Sequence, residues 1–577
     1  MSETIVGVDL GTTNSLVGAV IDGEVTLFAD PSGNALLPSV VGVGSSGEIL
    51  VGRTAKNRRV LDPEGTVVSV KRLMGTDAKR RVGDRELSAP QISALILGAL
   101  LDRAEARLGA RPGQAVITVP AYFTDGQRQA TRDAGELAGL RVERLVNEPT
   151  AAAMTYRTGE EQLVLVYDLG GGTFDVSILE RDADFLEVRA SHGDTRLGGD
   201  DIDGALTDLV LGRLGDKRGA VEADARARTR LLEAVERAKI ALSDREEVRL
   251  YEPFLAGDGA DGVHLDLPLT RADLDSIARP FIERTLGHID MALRDAKVRP
   301  VDLDRVLLVG GASKMPIVRS LVSAHLERPA QVDLDADRAV AFGATMLAGR
   351  AAGATITQVL VDITPHTLAA GVLDAPDDAG PPDLVAAPII ERGTVIPTVR
   401  KRTVYTGYEN QHTATIPIVQ GEHRLAELNT QLGEVVISHI PPSRVSSPVE
   451  VTYRLDLSGV LHVSAEHLPS GTSASVQITN SPYRLTEQHR AAAKAEIEEL
   501  RAGASEGHAD ETATETDLSL ARAMLTRAEK ALAKGGDTEA HQRVRAAISA
   551  LQSAASKKSS ETATLTDALS DALLDLL

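Results

Sequence analysis

Residues 164–175 read V-L-V-Y-D-L-G-G-G-T-F-D, and this stretch decides how the chain is interpreted. An apolar run rich in Val and Leu is typical of a buried strand, and it stops at Asp168, three glycines and a threonine. Glycines leave backbone N–H groups free to surround an anion, because no side chain keeps the anion away. Asp168 and Asp175 cannot bind phosphate but would hold the hydrated Mg²⁺ that accompanies a nucleotide. The stretch therefore predicts a strand that runs into a phosphate-binding turn.

A second copy of this pattern lies near the N-terminus. Residues 5–15 read I-V-G-V-D-L-G-T-T-N-S, again an apolar strand that ends in Asp-Leu-Gly followed by small residues. A single glycine-rich turn is weak evidence, because such turns also close ordinary hairpins. Two copies far apart in the sequence are stronger, since they indicate related structural units. The pair predicts two related lobes that grip one nucleotide from opposite sides.

The composition limits the class of protein. The chain has 577 residues, enough for three or four domains, and 43% of them are hydrophobic, as in ordinary globular proteins. It has no cysteine, which excludes disulfides, thiolate metal sites and a cysteine nucleophile. A net charge of −21 argues against general nucleic-acid binding, which depends on cationic contacts to phosphates. We expect a soluble, unexported, cytoplasmic protein, because no basic leader precedes the first strand and no apolar run approaches the roughly 20 residues that cross a bilayer.

Four further places carry candidate functional residues. Lys71 follows an apolar strand and is either a solvated edge residue or a point charge that reaches the terminal phosphate. Glu148, before Pro149, is either a first-turn acid or a group that positions water against phosphate. Pro120 either closes a strand or forms a hinge. Residues 306–316, V-L-L-V-G-G-A-S-K-M-P, form a third strand-to-glycine turn, against which a base or ribose would lie.

The character of the sequence changes along the chain. Residues 1–355 alternate strands and helices, as an α/β domain does. Residues 356–363 are a short apolar segment without glycine, predicted to be an interdomain linker. Residues 364–482 contain Thr- and Val-rich strands with Pro or Gly turns, which predicts a separate β domain. Residues 483–577 are rich in Ala, Glu, Lys and Arg and are predicted to be helical.

Taken together, these stretches resemble the DnaK-type seventy-kilodalton heat-shock chaperone family. The matching segments run in family order and cover the first domain almost throughout. They are D-L-G-T-T-N-S at Asp9, V-K-R-L-M-G at Val70, I-T-V-P-A-Y-F at Ile117, N-E-P-T-A-A-A at Asn147, Y-D-L-G-G-G-T-F-D at Tyr167, G-D-T-R-L-G-G at Gly193 and L-V-G-G-A-S at Leu308. The short helical end, P-I-I-E-R at Pro388 and N-S-P at Asn480 make the chain more similar to the shorter HscC-like branch than to DnaK itself.

The resemblance implies a three-part architecture. An α/β actin-like two-lobed ATPase domain, with duplicated ribonuclease-H-like lobes, would be followed by a β-sandwich peptide-binding domain and a short helical lid. Such a protein would be an ATP-dependent molecular chaperone of the stress response. It would hydrolyse ATP to ADP and phosphate, with Mg²⁺ as cofactor, and hydrolysis would switch its affinity for exposed apolar segments of unfolded or specific client proteins. We expect a monomer that binds neither nucleic acid nor membrane.

The resemblance also assigns roles to individual positions. The implied catalytic residues are Lys71, Glu148, Asp168, Thr173 and Asp9. Hydrated Mg²⁺ would lie among Asp9, Asp168 and Asp175. The implied nucleotide-binding residues are Gly11, Thr12, Thr13, Asn14, Gly170, Gly171, Gly172, Thr173, Gly198, Gly199, Glu236, Lys239, Ser243, Gly310, Gly311, Ser313, Lys314 and Asp337.

The implied partners are client polypeptides, a J-domain co-chaperone and a nucleotide-exchange factor. Pro120 and Arg128 match the family's switch between nucleotide state and substrate affinity. The J-domain docking surface would comprise Arg144, Asn147 and Asp362. Sugar or acetate kinases and filament-forming actin relatives share such a two-lobed core, but they have no use for the β-rich and helical parts.

The chain departs from the family pattern at several positions. Thr357 stands where the linker usually begins with an acid, and Gln358 stands where an aliphatic residue is expected, which points to altered interdomain coupling. Lys314 replaces a common arginine and lacks the planar guanidinium that stacks on adenine, which predicts weaker nucleotide binding. Residues 75–90 form a shorter segment than in DnaK, which argues against a standard exchange factor. The alternative interpretation is a specialised nucleotide-binding protein with weak interdomain coupling and a narrow client set.

Overall fold

The computed structural model describes residues 4–155, 162–182, 185–257, 262–332, 336–356, 358–374, 382–443, 446–477, 487–503, 515–532 and 538–557, with single positions between 559 and 572. In these ranges strands and helices alternate up to residue 351, strands dominate from 359 to 477, and helices follow. None of the helices described combines the length and the apolar character that a membrane span requires.

The first sheet, which defines lobe I, is built on the N-terminal copy of the repeated pattern. The strands of this lobe are β1 (Ile5–Asp9), β2 (Asn14–Ile21), β3 (Glu24–Leu27), β4 (Leu37–Pro38), β5 (Val41–Val43), β6 (Ile49–Val51), β7 (Lys79–Val82), β8 (Arg85–Ser88), β9 (Gln114–Val119) and β10 (Arg141–Asn147). The sheet order is β10-β9-β1-β2-β3, with β4 beside β2. Every residue of β1 and β9 is buried, as is typical of strands inside a parallel sheet.

The second sheet, which defines lobe II, repeats this arrangement. Its strands are β11 (Gln162–Leu169), β12 (Phe174–Asp182), β13 (Phe185–Asp194), β16 (Arg305–Val309) and β17 (Ala330–Val332), while β14 (Glu247–Ala256) and β15 (Val263–Thr270) form a separate hairpin. The path β13-β12-β11-β16-β17 has the order and the strand directions of β3-β2-β1-β9-β10. The two Asp-Leu-Gly turns therefore end equivalent strands.

Helices separate and cover the two sheets. They are α1 (Arg53–Arg58), α2 (Ala89–Leu108), α3 (Asp125–Leu137), α4 (Glu148–Thr155), α5 (Gly199–Arg213), α6 (Arg218–Ala223), α7 (Ala225–Leu242), α8 (Arg271–Ala296), α9 (Pro316–Leu326) and α10 (Ala339–Ala351). The backbone of α10 lies against the backbones of α4 and β1. A Cβ atom on Gly343 of α10 would lie 1.8 Å from the carbonyl oxygen of Ala151 in α4, and a Cβ atom on Gly7 of β1 would lie 2.3 Å from the backbone nitrogen of Thr345 in α10. Only glycine permits this approach of α10 to α4 and β1.

The predicted linker forms part of the lobe II sheet. Strand β18 (Val359–Ile363) pairs in parallel with β13, with Leu360 opposite Leu186. Its end pairs antiparallel with β21 (Val395–Ile396) of the following domain. The carbonyl of Gln358 accepts a hydrogen bond from Arg350, whereas Thr357 lies outside the described residues. One strand thus belongs to the sheet of lobe II and touches the β domain.

The β domain is a pair of four-stranded antiparallel sheets around one apolar core. One sheet, β20-β19-β23-β24, comprises β19 (Leu368–Asp374), β20 (Asp383–Ile390), β23 (Thr413–Gln420) and β24 (Thr430–Ser438). The other, β22-β25-β26-β27, comprises β22 (Thr398–Tyr405), β25 (Pro448–Leu455), β26 (Leu461–His467) and β27 (Thr472–Gln477). The buried hydroxyl of Tyr453 crosses between the sheets and donates to the carbonyl of Ala369 at 2.9 Å.

Within the described residues, helices that follow the β domain include α11 (Glu487–Gly503), α12 (Glu515–Leu532) and α13 (Glu539–Ser556). Helix α11 packs on α2 and α3 of lobe I, where Ala493 and Ile497 join the apolar core of that lobe. Ion pairs flank this contact, from Arg490 to Glu136 at 2.9 Å and from Arg501 to Asp102 at 2.8 Å. The predicted lid therefore begins with a helix that rests on lobe I.

Replacing Tyr453 by Phe should loosen the sandwich, because the substitution removes one buried intersheet hydrogen bond. We expect a loss of about 1 kcal/mol, or about fivefold in protection, at the amides of β19 and β25. Hydrogen exchange followed by mass spectrometry measures this change. Tyr405→Phe is the matched control, since Tyr405 is 65% exposed, and equal protection in the two variants would contradict the prediction.

Candidate active site

The two Asp-Leu-Gly turns line one cleft between the lobes, with a cavity of about 800 Å³. Its size is within the range of small-molecule sites. The predicted site residues that line it are Asp9, Gly11, Thr12, Thr13, Asn14, Lys71, Glu148, Asp168, Gly170, Gly171, Thr173, Gly199, Glu236, Lys239, Ser243, Gly310, Gly311, Lys314 and Asp337. Of the predicted catalytic, nucleotide-binding and metal residues, four are not among the lining residues: Gly172, Gly198, Ser313 and Asp175.

The glycine turn of lobe II is fastened to the start of α5. The amide of Gly199 donates to the carbonyl of Gly170 at 3.0 Å, and that of Asp200 to the carbonyl of Gly171 at 2.8 Å. A Cβ on Gly198 would lie 2.4 Å from the carbonyl oxygen of Gly171, so no side chain fits there. The turn and the N-terminus of a 15-residue helix therefore adjoin one wall of the cavity, an arrangement that favours anions.

Three carboxylates are buried at or next to the cleft: Asp9 and Asp168 line the cavity, and Asp175 adjoins them without lining it. Asp9 accepts a hydrogen bond from Thr118 at 2.8 Å, and Asp175 accepts one from the backbone of Tyr122 at 3.0 Å. Burial, followed by the charge of Glu148, raises the pKa of Asp9 to about 6. The same two causes raise the pKa of Asp168 and Asp175 well above the usual range. A cation would offset this repulsion.

Hydrated Mg²⁺ fits this set of oxygen donors. Carboxylate oxygens are the ligands that Mg²⁺ takes from proteins, and the ion usually keeps several waters. Across the residues that the structure describes, no three His, Asp or Glu side chains are arranged to ligate a metal directly. Asp9, Asp168 and Asp175 would hold the ion through water.

Lys71 and Glu148, both of lobe I, form an ion pair at the wall of the cleft. Both side chains are buried, with 4% and 10% exposed, and the ammonium lies 5.9 Å from the ring centroid of Phe123. Lys71 stands in a single 3₁₀ turn, residues 70–73, and Glu148 begins α4. The edge-residue interpretation of Lys71 is therefore wrong, because the side chain points into the protein.

Two lysine–aspartate pairs lie at the opposite end of the cavity, one of them buried and the other more exposed. Lys239 donates to Asp203 at 2.7 Å and to the carbonyl of Gly199 at 3.2 Å. Lys314 pairs with Asp337, and both side chains are more than a third exposed. A purine or ribose would find carboxylate acceptors and bare glycine backbone at this end.

Sequence reasoning missed the contacts that join the lobes across the cleft. The guanidinium of Arg72 donates to the carbonyl of Gly172 at 2.9 Å and pairs with Asp201. Ser69 donates to Asp200 at 2.6 Å. Asp200 and Asp203 also line the cavity, and the acidic run after Gly199 was their only sequence signal.

The predicted switch and docking residues meet where β10, α3 and β18 converge. The amide of Asn147 donates to both carboxylate oxygens of Asp362, at 2.9 and 2.8 Å. Arg128 donates to the side-chain oxygen of Asn147 at 2.6 Å, and the charges of Arg128 and Arg144 oppose the effect of burial, which raises the pKa of Asp362. Pro120 follows β9, the strand that pairs with β10, and its carbonyl accepts a hydrogen bond from the amide of Phe123.

The described geometry combines two sheets of the same strand order, a glycine-lined cleft and a β domain attached through a sheet strand. A family model described as Hsp70 protein matches residues 5–576, and the chain belongs to the Hsp70 family. Members of the family are ATPases with a broad chaperone role that bind ATP or ADP with Mg²⁺, client polypeptides and co-chaperones. The similarity to the shorter HscC-like branch stays a prediction, since the match is to the family as a whole.

Arg72→Ala should speed release of a bound nucleotide, because it removes charged hydrogen bonds that hold lobe I against lobe II. We expect dissociation of a fluorescent ADP to accelerate about 10- to 150-fold, given about 1.5–3 kcal/mol for hydrogen bonds to charged groups. Stopped-flow displacement with unlabelled ADP measures the rate.

Arg80→Ala is the matched control for Arg72→Ala. Arg80 is an exposed arginine whose described hydrogen bond goes to the neighbouring carbonyl of Lys79. If both variants release ADP at the rate of the unmodified protein, the cross-cleft contact does not retain nucleotide.

Proposed function

We propose that this protein is an ATP-dependent molecular chaperone with an actin-like ATPase domain, a β-sandwich peptide-binding domain and a helical lid. It binds exposed apolar segments of unfolded or specific client proteins, and ATP hydrolysis switches its affinity for them. The observation that carries the proposal is the corner of Asn147 and Glu148. Asn147 holds the linker strand through Asp362, and the next residue, Glu148, pairs with Lys71 in the nucleotide cleft.

The proposed hydrolysis rests on positioning and charge rather than on a covalent intermediate. Backbone amides of the two glycine turns, together with Thr13 and Thr173, bind the phosphates. Lys71 approaches the γ-phosphate as a point charge and pairs with Glu148, whose carboxylate orients the attacking water. Mg²⁺, when bound, neutralises charge on the phosphate oxygens.

The coupling of the two activities requires two arrangements with unequal affinity for ATP. A ligand that binds both equally shifts neither population. In the structure the β domain rests on lobe I: the backbone amide of Leu461 donates to Asp125 at 3.0 Å, and the side chain of Ser458 accepts from the amide of Leu145 at 3.2 Å. We assign this docked arrangement to the ATP-bound state, in which the peptide site exchanges clients quickly.

A J-domain co-chaperone is the partner proposed for the Arg144 corner. Asn147 and Asp362 are each 3% exposed in the docked arrangement. A partner therefore reaches their side chains only after β18 leaves the sheet, whereas Arg144 is partly accessible. Binding there would favour release of the linker.

The second candidate is a specialised nucleotide-binding protein with weak interdomain coupling and a narrow client set. One observation favours it: the side-chain oxygen of Gln358 is buried without a described partner at the entrance to β18. An unpaired buried acceptor costs about 1–3 kcal/mol and would weaken the strand in this position.

Lys71→Met should lower the rate of a single ATP turnover by about 100- to 1,000-fold, as loss of one charged contact to the transition state does in other enzymes. ADP affinity should change little, since the ammonium is assigned to the γ-phosphate. Single-turnover hydrolysis and ADP binding are measured on the same samples.

Lys79→Met, an exposed lysine on β7, is the control for Lys71→Met. Retained binding of ADP shows that the Lys71 variant is folded. Hydrolysis at the unmodified rate would remove Lys71 from the catalytic group.

The dissociation of a fluorescent apolar peptide, measured in ADP and again after ATP is added, tests the function itself. We expect release to accelerate about tenfold or more, within the usual range of coupling between two sites. Equal rates with tight ATP binding would support the specialised nucleotide-binding protein instead. Absence of peptide binding in both nucleotides would overturn the chaperone proposal.

A further inference from the structure

One aromatic side chain joins the ATPase lobes to the β domain beside the switch residue Pro120. The ring of Tyr122 lies 4.2 Å, centroid to centroid, from the imidazole of His366 in the β domain and 5.8 Å from that of His192 in β13. Its backbone N–H donates to Asp175 at 3.0 Å, and its carbonyl oxygen lies 3.0 Å from Nε2 of His366. A single residue thus touches the nucleotide site and the β domain.

The hydrogen bond shows which ring nitrogen of His366 carries a proton. A carbonyl oxygen only accepts, so Nε2 carries the proton and a neutral imidazole satisfies the bond. A second proton, on Nδ1, would place a positive charge in a site where His366 is only 9% exposed. Burial, the largest cause, lowers the pKa of His366 from the ordinary 6.5 to about 4. The docked arrangement is therefore built around the neutral side chain.

Charged and titratable groups face His366 from several elements. Arg128 of α3 and His192 of β13 disfavour a positive charge on it, whereas Glu422, after β23, favours one. Glu422 belongs to the β domain and also accepts a hydrogen bond from the amide of Thr367 at 2.8 Å. When the domains separate, His366 keeps Glu422 as a neighbour, because both belong to the β domain. It loses Arg128 and His192, which belong to the ATPase domain.

A second interdomain contact adjoins the first one. Nε2 of His192 lies 2.7 Å from one carboxylate oxygen of Asp295, and the other oxygen accepts from Arg392 of the β domain at 2.9 Å. Tyr122, between the two imidazoles, is partly buried. Protonation at His366 would thus act on an interface that already contains Arg392 and Arg128.

We infer that the docking of the β domain on the ATPase domain is proton-sensitive, and that protonation of His366 separates the two domains. The separated arrangement holds a client tightly in the proposed function, so acidification would retain clients without hydrolysis. The inference concerns the contact itself and stands whether or not the cleft hydrolyses ATP.

The direction follows from the two protonation equilibria. The docked state has the lowered pKa of about 4, and the separated domain has the ordinary 6.5. Docking is therefore at full strength above pH 6.5, and it weakens as the pH falls from 6.5 toward 4, because the separated state binds the additional proton. Between pH 7.5 and 5.5 the ratio of docked to separated molecules should fall about tenfold.

Fluorescence energy transfer on the full chain measures this ratio. The chain has no cysteine, so Asp208→Cys in α5 and Glu434→Cys in β24, both exposed, label the two domains uniquely. The titration is run with Mg²⁺ and ATP in three proteins: unmodified at His366, His366→Leu, and His366→Gln, whose amide still donates to the Tyr122 carbonyl. All three proteins have the same carboxylates in the nucleotide site. Any effect of those carboxylates on docking is therefore common to the three titrations, and the difference between them reports on His366.

We expect the tenfold loss of docking with His366 present and less than about twofold change in both variants. His439→Asn, an exposed histidine of the same domain with φ 63°, should titrate as the unmodified protein does. Equal acid sensitivity with and without His366 overturns the inference.

A second measurement covers the case in which neither variant docks at pH 7.5. NMR of histidine labelled at Cε1 gives the pKa of His366 in the ATP-bound chain, with the signal assigned by its absence in His366→Gln. A value near 4 supports the inference, and a value near 6.5 overturns it.

Discussion

The buried carboxylate of Asp362 is the constraint on which the arrangement of the two halves depends. It lies in β18, between β13 of lobe II and β21 of the β domain, and two hydrogen bonds from Asn147 hold it. A buried charge without partners is costly, so the strand stays in the sheet only while Asn147 and the nearby guanidinium groups remain in place. Arg128 belongs to both contacts, since it donates to Asn147 and to the carbonyl of Ser458 in the β domain.

The nucleotide cleft is connected to this corner through residues that are adjacent in the chain. Asn147 and Glu148 are neighbours at the junction of β10 and α4, so a shift of one moves the other. On the other side, Tyr122 donates to Asp175 at the cleft while its ring lies against the β domain. Both connections are short and consist of buried polar groups, which have few alternative arrangements. Such contacts suit a protein with two discrete states.

Much of the site could be predicted from the sequence, because its residues sit in local patterns. A strand, an acid and consecutive glycines define their own turn, so both Asp-Leu-Gly copies and the third turn at 310–311 could be found without tertiary information. Arg72 and Asp201 could not, since they act only when the lobes face each other. The apolar segment at 356–363 was expected to be a linker, because nothing local shows that the edge of β13 is open to residues 359–363. His366 follows a proline, and no periodic pattern marks its contact with Tyr122.

Helix α11 has one apolar face, and in this structure lobe I covers it through Ala493 and Ile497. Because lobe I buries this apolar face, α11 cannot use the same face to cover the β domain at the same time. In the proposed function, the client-bound β domain and lobe I therefore compete for this one face of α11. By reciprocity, any substitution that strengthens the hold of lobe I on Ile497 loosens the hold on a covered client by the same free energy. Client retention in this chain would therefore be adjustable from the surface of lobe I.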